Sequence, residues 1–192
     1  MMVLIVAAIL HFLRNQELKE PGVPNLCLSD YIAPEGSGIN DHIGAFVVSA
    51  SIDENKMKEF ADDDYASIMI RILSDRIAEA AAEYVHYLVR TEYWGFAAGG
   101  NLSPEAMFRN EFTGIRPAPG YPACPDHTEK GPLFELLEAT ERAGVTLTEN
   151  FAMVPVSLVL IYLHTGSVYF NLGKIGEDQL SDYARRKGIN EG

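Results

Sequence analysis

The longest regular pattern of hydrophobic and polar positions in this chain predicts one amphipathic helix from about residue 63 to residue 93. Side chains recur there at every third or fourth position, the spacing that brings them to one face of a helix. The members of this series are Tyr65, Ile68, Met69, Ile72, Leu73, Arg76, Ile77, Ala80, Tyr84 and Leu88. The alanine-rich run Ala78–Ala82 favours helix and lets another element approach closely.

Three shorter helices are predicted from their end signals. The first begins at Ser103-Pro104, where the serine is the N-cap and the proline takes the first helical position. The second covers Gly131–Ala143 and ends at Gly144. The third covers Glu177–Lys187, with acidic residues first and basic residues last, as the helix dipole favours.

Segments rich in β-branched and aromatic residues predict strands. They are Ile43–Ile52, Val145–Thr148, Ala152–His164 and Ser167–Leu172. The last two are predicted to form a hairpin through Thr165-Gly166. Because the strands lie early and late around a helical middle and do not alternate with helices, we expect a single α+β domain over residues 1–192 with an antiparallel sheet.

The opening segment Met1–Leu13 is almost entirely apolar. It is shorter than the roughly 20 apolar residues that span a bilayer. It also lacks the basic start and the cleavage pattern of a signal peptide. We therefore expect a buried strand or helix of the core. Its first residues, left as an edge strand without a neighbour, would offer a surface for self-association.

Net charge and cysteine content exclude several classes of partner. At a net charge of −12, the chain repels phosphate backbones and anionic lipid, so neither nucleic acid nor a membrane is expected as a partner. Its two cysteines are too few for a disulfide framework and fit the reducing cytoplasm.

The segment Arg116–Lys130 is unusually rich in proline. Because each proline fixes φ near −65° and favours an extended residue before it, we expect a stiff, extended loop. Its prolines are Pro117, Pro119, Pro122 and Pro125. Between them lie Arg116, Gly120 and Tyr121. A cation, a flexible glycine and an aromatic ring on a rigid track are typical of a ligand-binding loop.

Each candidate in this loop also has a structural interpretation. Arg116 could pair bidentately with a carboxylate or bond carbonyl groups of its own loop. Tyr121 could form a wall of a ligand site or fill the core beneath the loop. Cys124 and His127 have the spacing of metal ligands, but no second Cys/His pair lies nearby, so no metal site is expected.

Acidic side chains on the long helix form a second candidate surface. Asp75, Glu79 and Glu83 are four residues apart and therefore share one face. This face could receive a cationic partner or be a solvated helix surface.

The segment Gly114–Lys130, GIRPAPGYPACPDHTEK, resembles the signature of the C-terminal activation domain of cobalamin-dependent methionine synthase. Other stretches match that domain in the same order. They are Pro24–Pro34 (PNLCLSDYIAP), Ile43–Val47, Asp63–Tyr65, Asp75–Glu79, Tyr93–Gly95, Leu147–Met153 and Asp178–Gly188. The resemblance covers about residues 9–190.

This resemblance implies a curved, C-shaped α+β fold on a twisted antiparallel sheet, and a site for S-adenosylmethionine. In the family, cobalamin is bound by a separate domain and is occasionally oxidised to inactive cob(II)alamin. A flavodoxin-type donor then supplies an electron, and S-adenosylmethionine supplies the methyl group that restores methylcobalamin. The resemblance thus implies a module of a methyltransferase, with a cobalamin-binding domain and a flavodoxin-type donor as partners.

Matching positions imply the roles of individual residues. Arg116 would hold the methionyl carboxylate, and Tyr121 would help to wall the sulfonium. The S-adenosylmethionine site as a whole would comprise Arg116, Pro117, Ala118, Pro119, Gly120, Tyr121, Tyr169 and Phe170. Asp75 and Glu79 match acidic positions that face the cobalamin domain. No catalytic residue is implied within this chain.

The family's domain extends upstream of this chain and contributes an aspartate to the ligand's amino group. We therefore expect a chain that binds the methyl donor without completing methyl transfer alone. Two alternatives remain. One is a non-catalytic interaction or stability partner of a corrinoid protein that has lost ligand binding. The other is a small cysteine- or metal-dependent enzyme that uses Cys124 and His127.

Overall fold

The computed structural model describes residues 7–97, 103–109, 111–163 and 166–190 of the chain. These residues fold into two compact units. The first comprises residues 1–45, 113–136 and 160–192, and the second comprises residues 46–112 and 137–159.

The described residues combine helices with short strands. The helices are α1 (Glu54–Glu59), α2 (Asp64–Leu88), α3 (Pro104–Phe108), α4 (Lys130–Leu137), α5 (Ala139–Ala143) and α6 (Glu177–Lys187). The strands are β1 (Gly44–Ser49), β2 (Thr146–Leu147), β3 (Met153–Val154) and β4 (Ser157–Tyr162). Strand β1 pairs with β4, and β2 pairs antiparallel with β3. The predicted α+β class is confirmed. No helix in the described ranges is long and apolar enough to cross a membrane.

Helix α2 is the main element of the second unit and confirms the predicted long helix. Its N-cap is Asp63, whose carboxylate accepts a hydrogen bond from the Ala66 backbone at 2.9 Å. The buried positions are four residues apart and mostly small: Ser74, Ala78, Ala82 and His86. Large apolar members of the predicted series, such as Ile68 and Ile77, are exposed. Small side chains therefore form the face of α2 that packs inside this unit.

A π-helical turn, Val89–Tyr93, continues α2. It forms around a buried cation, because Arg90 is 1% exposed and its guanidinium lies 4.1 Å from the centroid of the Phe112 ring. His86, one turn earlier, meets the same ring edge-on at 5.0 Å. This packing closes the C-terminal end of the helix against the segment that follows α3.

Two predicted elements are interrupted. The helix predicted over Gly131–Ala143 is two helices, because Glu138 adopts a left-handed backbone with φ of 50° between α4 and α5. Gly144 ends α5 as predicted. The strand predicted over Ala152–His164 divides into β3 and β4 around Pro155, which has no N–H for a sheet ladder.

The predicted hairpin between Ala152–His164 and Ser167–Leu172 is wrong. Residues 167–172 form no regular strand. The end of β4 pairs instead with the chain just before the proline-rich loop, where Ile115 and Leu163 exchange two backbone hydrogen bonds of 3.1 Å. The 167–172 segment bonds the loop itself, through the Leu172 N–H and the Pro122 carbonyl at 3.1 Å.

The apolar opening segment also differs from expectation. Residues 1–6 lie outside the described residues, and residues 7–13 form no regular strand or helix. Burial is confirmed for Leu13, which is 6% exposed and packs with Leu172 and Tyr183 of the first unit. The polar residues that follow also make backbone contacts: the Asn15 N–H donates to the Leu26 carbonyl at 2.9 Å.

A buried ionic cluster joins α6 to the C-terminal end of the proline-rich loop. The Lys187 ammonium contacts Asp126 at 2.6 Å and Glu129 at 2.8 Å, and it also bonds the hydroxyl of Thr128. The Tyr183 hydroxyl donates to Asp126 at 2.7 Å. Glu129 is fully buried and also accepts from the His11 N–H at 2.8 Å. One carboxylate thus connects the loop, α6 and the N-terminal segment.

Replacing Lys187 by Met should destabilise the fold by on the order of 3–5 kcal/mol, because it leaves the buried Glu129 carboxylate without its cation. Its neighbour Arg185 is a matched control, since its pair with Asp182 is exposed at 80% and 44% of the two side chains. Arg185→Met should cost less than about 1 kcal/mol. Urea unfolding measures both. Equal costs for the two variants would contradict a special role of the cluster.

The same cluster predicts how stability responds to acid. Burial alone would raise the pKa of Asp126, but hydrogen bonds from Lys187, Tyr183 and Thr128 outweigh burial and lower that pKa from 3.8 to about 2. Folding therefore favours the carboxylate, and its contribution is present above pH 3.8 and lost as pH falls through about 2. The melting temperature of wild type should therefore fall more steeply over this pH window than that of Asp126→Asn. Parallel curves would rule out this group as the source.

Candidate functional site

The start of the proline-rich loop is held by β4. Ile115 is bonded to Leu163, and the Pro117 carbonyl accepts from the Ile161 N–H at 2.9 Å. Proline has a carbonyl but no N–H, so Pro117 can accept this hydrogen bond and leaves no backbone N–H without a partner. Pro117, Ala118 and Pro119 are buried. The start of the predicted stiff loop is therefore a backbone segment that is hydrogen-bonded to a strand.

A tight turn follows at Gly120 and Tyr121. The Gly120 N–H donates to the Cys124 carbonyl at 2.7 Å, and the Cys124 N–H donates to the Tyr121 carbonyl at 2.8 Å. Gly120 has φ of 97°, a conformation that side chains other than glycine rarely adopt. The turn leaves 54% of Tyr121 exposed, so this ring does not fill the core.

Arg116 and Tyr169 meet although they are 53 positions apart. The Arg116 backbone N–H donates to the Tyr169 hydroxyl at 3.0 Å. Arg116 is partly exposed, and Tyr169 is 47% exposed. The adjacent Phe170 packs instead against two clusters of buried core residues. The first unit thus contains every residue predicted for the S-adenosylmethionine site.

The remaining predicted residues lie in the second unit, on α2. Asp75 is partly exposed and follows the buried Ser74. Glu79 is exposed and forms an ion pair with Arg76 at 2.8 Å, one turn away on the same helix. This geometry is that of an ordinary solvated helix surface, and a contact of these acids with another domain stays a prediction.

The Cys124–His127 pair is not arranged for nucleophilic chemistry. Cys124 is 3% exposed, and burial, reinforced by the charges of Glu129 and Asp126, raises the pKa of its thiol to about 12. A protonated thiol is a poor nucleophile and a poor metal ligand. His127 bonds Lys130, with 2.8 Å between Nδ1 and the ammonium nitrogen. Within the described ranges, no group of three or more His, Cys, Asp and Glu side chains could hold a metal ion.

We expect Cys124 to resist alkylation in the folded chain. In a Cys27→Ala background, where Cys124 is the remaining thiol, iodoacetamide at pH 8 should react at least about a hundredfold more slowly than with the urea-unfolded chain. Mass spectrometry of timed samples gives both rates. Labelling of the folded chain at the speed of a free thiol would restore the cysteine-enzyme alternative.

Sequence reasoning missed the groups that hold the loop in place. Asp126, Glu129 and Lys187 form an ion cluster across 58 and more positions of sequence. Their spacing carries no local signal, because a charged residue in a loop or at a helix end is usually solvated. Only the three-dimensional fold shows that these charges are buried together.

The comparisons with known proteins identify a solved structure of the same fold and a family. The chain is similar to a crystal structure described as "MetH Reactivation Domain bound to AdoHcy", with a TM-score of 0.87 and 49% sequence identity. The match covers 94% of this chain and 57% of that chain, so this chain spans little more than half the length of the solved relative. The chain therefore has the fold of this reactivation domain.

A family model assigns the chain more closely. The model described as "Vitamin B12 dependent methionine synthase, activation domain" matches residues 4–188. The chain belongs to this family. The resemblance that the sequence suggested is thereby confirmed.

Proposed function

We propose that this chain binds S-adenosylmethionine and presents its methyl group to a cobalamin carried by another domain. The observation that carries the proposal is the hydrogen bond between Arg116 and Tyr169, which gathers residues of the proline-rich loop and the 169–170 segment in one unit. Support comes from the similar reactivation domain, which was solved with AdoHcy. The methyl donor and AdoHcy differ by the transferred methyl group.

The residues fit the chemistry of the ligand. S-adenosylmethionine carries a carboxylate, an adenosine and a sulfonium cation. Arg116 supplies a planar fork for the carboxylate. Backbone groups of Pro117–Pro119 contact the adenosine. Exposed rings of Tyr121 and Tyr169 offer faces to the sulfonium, to which aromatic rings are attracted.

Pre-ordering of the loop favours binding. The Arg116 backbone is held by its own N–H, Pro117 is bonded to β4, and Ile115 is bonded to Leu163, the residue after β4. A backbone that is already ordered loses little conformational freedom when a ligand binds. The loop thus presents the arginine to a ligand at low entropic cost.

The reaction itself requires groups from outside the chain. The methyl would leave sulfur, which keeps the bonding electron pair, and its acceptor would be a cobalamin held by another domain and reduced by one electron from cob(II)alamin. We assign cobalamin to a partner domain that Asp75 and Glu79 of α2 contact. We assign the electron to a flavodoxin-type donor, and we place the reaction in the cytoplasm. The isolated chain would bind the methyl donor without completing methyl transfer. Self-association through residues 1–9 would be a separate property.

Isothermal titration of S-adenosylmethionine into the full chain tests this function. Wild type should bind, and Arg116→Ala should lose on the order of 2–5 kcal/mol of binding free energy, as expected for a lost charge pair. Arg185→Ala removes an arginine of the same unit that is exposed and paired with Asp182, so it should bind as wild type does.

The outcomes separate the candidate functions. Equal affinity in Arg116→Ala and wild type would contradict the assigned carboxylate partner. Absence of binding by a folded wild-type chain would favour the alternative, a non-catalytic partner of a corrinoid protein.

A further inference from the structure

The imidazole of His127 lies directly against the Gly120 turn. A Cβ placed on Gly120 would come within 2.3 Å of Cε1, 2.8 Å of Nδ1 and 2.9 Å of Nε2 of that ring. Real Cβ atoms essentially never come that close to another heavy atom, so the glycine backbone rests on the imidazole with no room for a side chain. This contact joins two parts of the loop that are seven residues apart.

The ring is also bonded to a buried lysine. Because an ammonium group only donates, Lys130 donates to Nδ1 at 2.8 Å. Lys130 is 5% exposed, so this anchor is itself fixed. The backbone of His127 opens the 3₁₀ turn His127–Glu129, whose N-cap is Asp126 of the ionic cluster.

These contacts form a continuous path from α6 to the ligand loop. Lys187 binds Asp126 and Glu129, which flank and close the turn that carries His127. His127 in turn contacts Gly120, the residue before Tyr121. The backbone pairing with β4 and the Tyr169 hydroxyl contact the loop before Gly120, and the Leu172 N–H bonds the Pro122 carbonyl after Tyr121.

We infer that His127 is a positioning residue of the site: its ring supports the Gly120–Tyr121 turn and thereby sets where the Tyr121 ring stands relative to Arg116. Only the expected effect on affinity rests on the proposed binding of S-adenosylmethionine. Support of the turn is a property of the chain without ligand.

Three variants isolate this role. His127→Ala removes the support, and because His127 is an exposed residue, the change opens no cavity in the core. His127→Phe keeps a flat ring beneath Gly120. His42→Ala is the control, since His42 is an exposed histidine of the same unit in a different loop.

Amide hydrogen exchange measured by NMR without ligand is the first readout. In His127→Ala, the Gly120 and Cys124 amides, which bond within the turn, should exchange at least tenfold faster than in wild type. The Ile161 amide, which bonds Pro117, should keep its rate, whereas general destabilisation would speed all three. His127→Phe and His42→Ala should match wild type. Unchanged exchange at Gly120 in His127→Ala, or equal acceleration at Ile161, would overturn the inference.

Titration with S-adenosylmethionine is the second readout. His127→Ala should weaken binding at least fivefold, and His127→Phe should restore affinity to within about twofold of wild type. A wild-type chain that binds while His127→Ala binds equally well would refute the positioning role and leave the proposed function intact. A wild-type chain that does not bind would refute the proposed function, and the exchange rates alone would then decide whether His127 supports the turn.

Discussion

The buried contact between Lys187 and the carboxylates of Asp126 and Glu129 is the interaction on which the proposed site most depends. A carboxylate as buried as Glu129 is tolerated only with a cation and further hydrogen bonds, and α6 provides both. Hydrogen bonds raise the pKa of Lys187 against the lowering effect of its burial, so the ammonium stays charged. Because the two carboxylates lie at the C-terminal end of the proline-rich loop, their contacts with Lys187 fix that end of the loop against α6.

The other end of the loop is fixed by a different kind of interaction. Residues 115–117 form backbone hydrogen bonds with Ile161 of β4 and with Leu163 just after it, and these bonds depend on strand geometry and not on charge. Between these two anchors, prolines reduce the freedom of the backbone, and Gly120 alone makes the sharp reversal. The two anchors respond to different conditions. Acid acts on the ionic anchor and leaves the backbone hydrogen bonds unchanged.

Local signals explain what could be predicted from the sequence. The bounds of α6 match the prediction. Acidic residues at its start and basic residues at its end complement the helix dipole, and Gly188 caps its C-terminus, so each signal is local. The beginning of α3 follows from Ser103, whose hydroxyl accepts from the Ala106 N–H at 3.3 Å. Such contacts span three or four residues and are therefore visible in a single sequence.

Non-local contacts explain what could not. Alternation in residues 167–172 favours a strand, but whether a strand forms depends on which segment occupies the neighbouring edge, and residues 115–117 occupy it. Cys124 and His127 have suitable spacing for chemistry, yet burial raises the pKa of the thiol to about 12 and so disfavours the reactive thiolate. For the candidate site, residue types and the family resemblance indicated Arg116 and Tyr169, whereas no spacing rule relates them. Their hydrogen bond exists only because the chain returns past the loop after β4.

Charge completes the physical account of the site. The chain carries a net charge of −12, which favours a ligand with net positive charge near its surface. Under the proposed function, the carboxylate of that ligand is the one group that such a field repels, and Arg116 would be its cationic partner. The field would favour the sulfonium and the ammonium, whereas Arg116 would act on the carboxylate alone. A neutral adenosine without the methionyl part would lack both interactions.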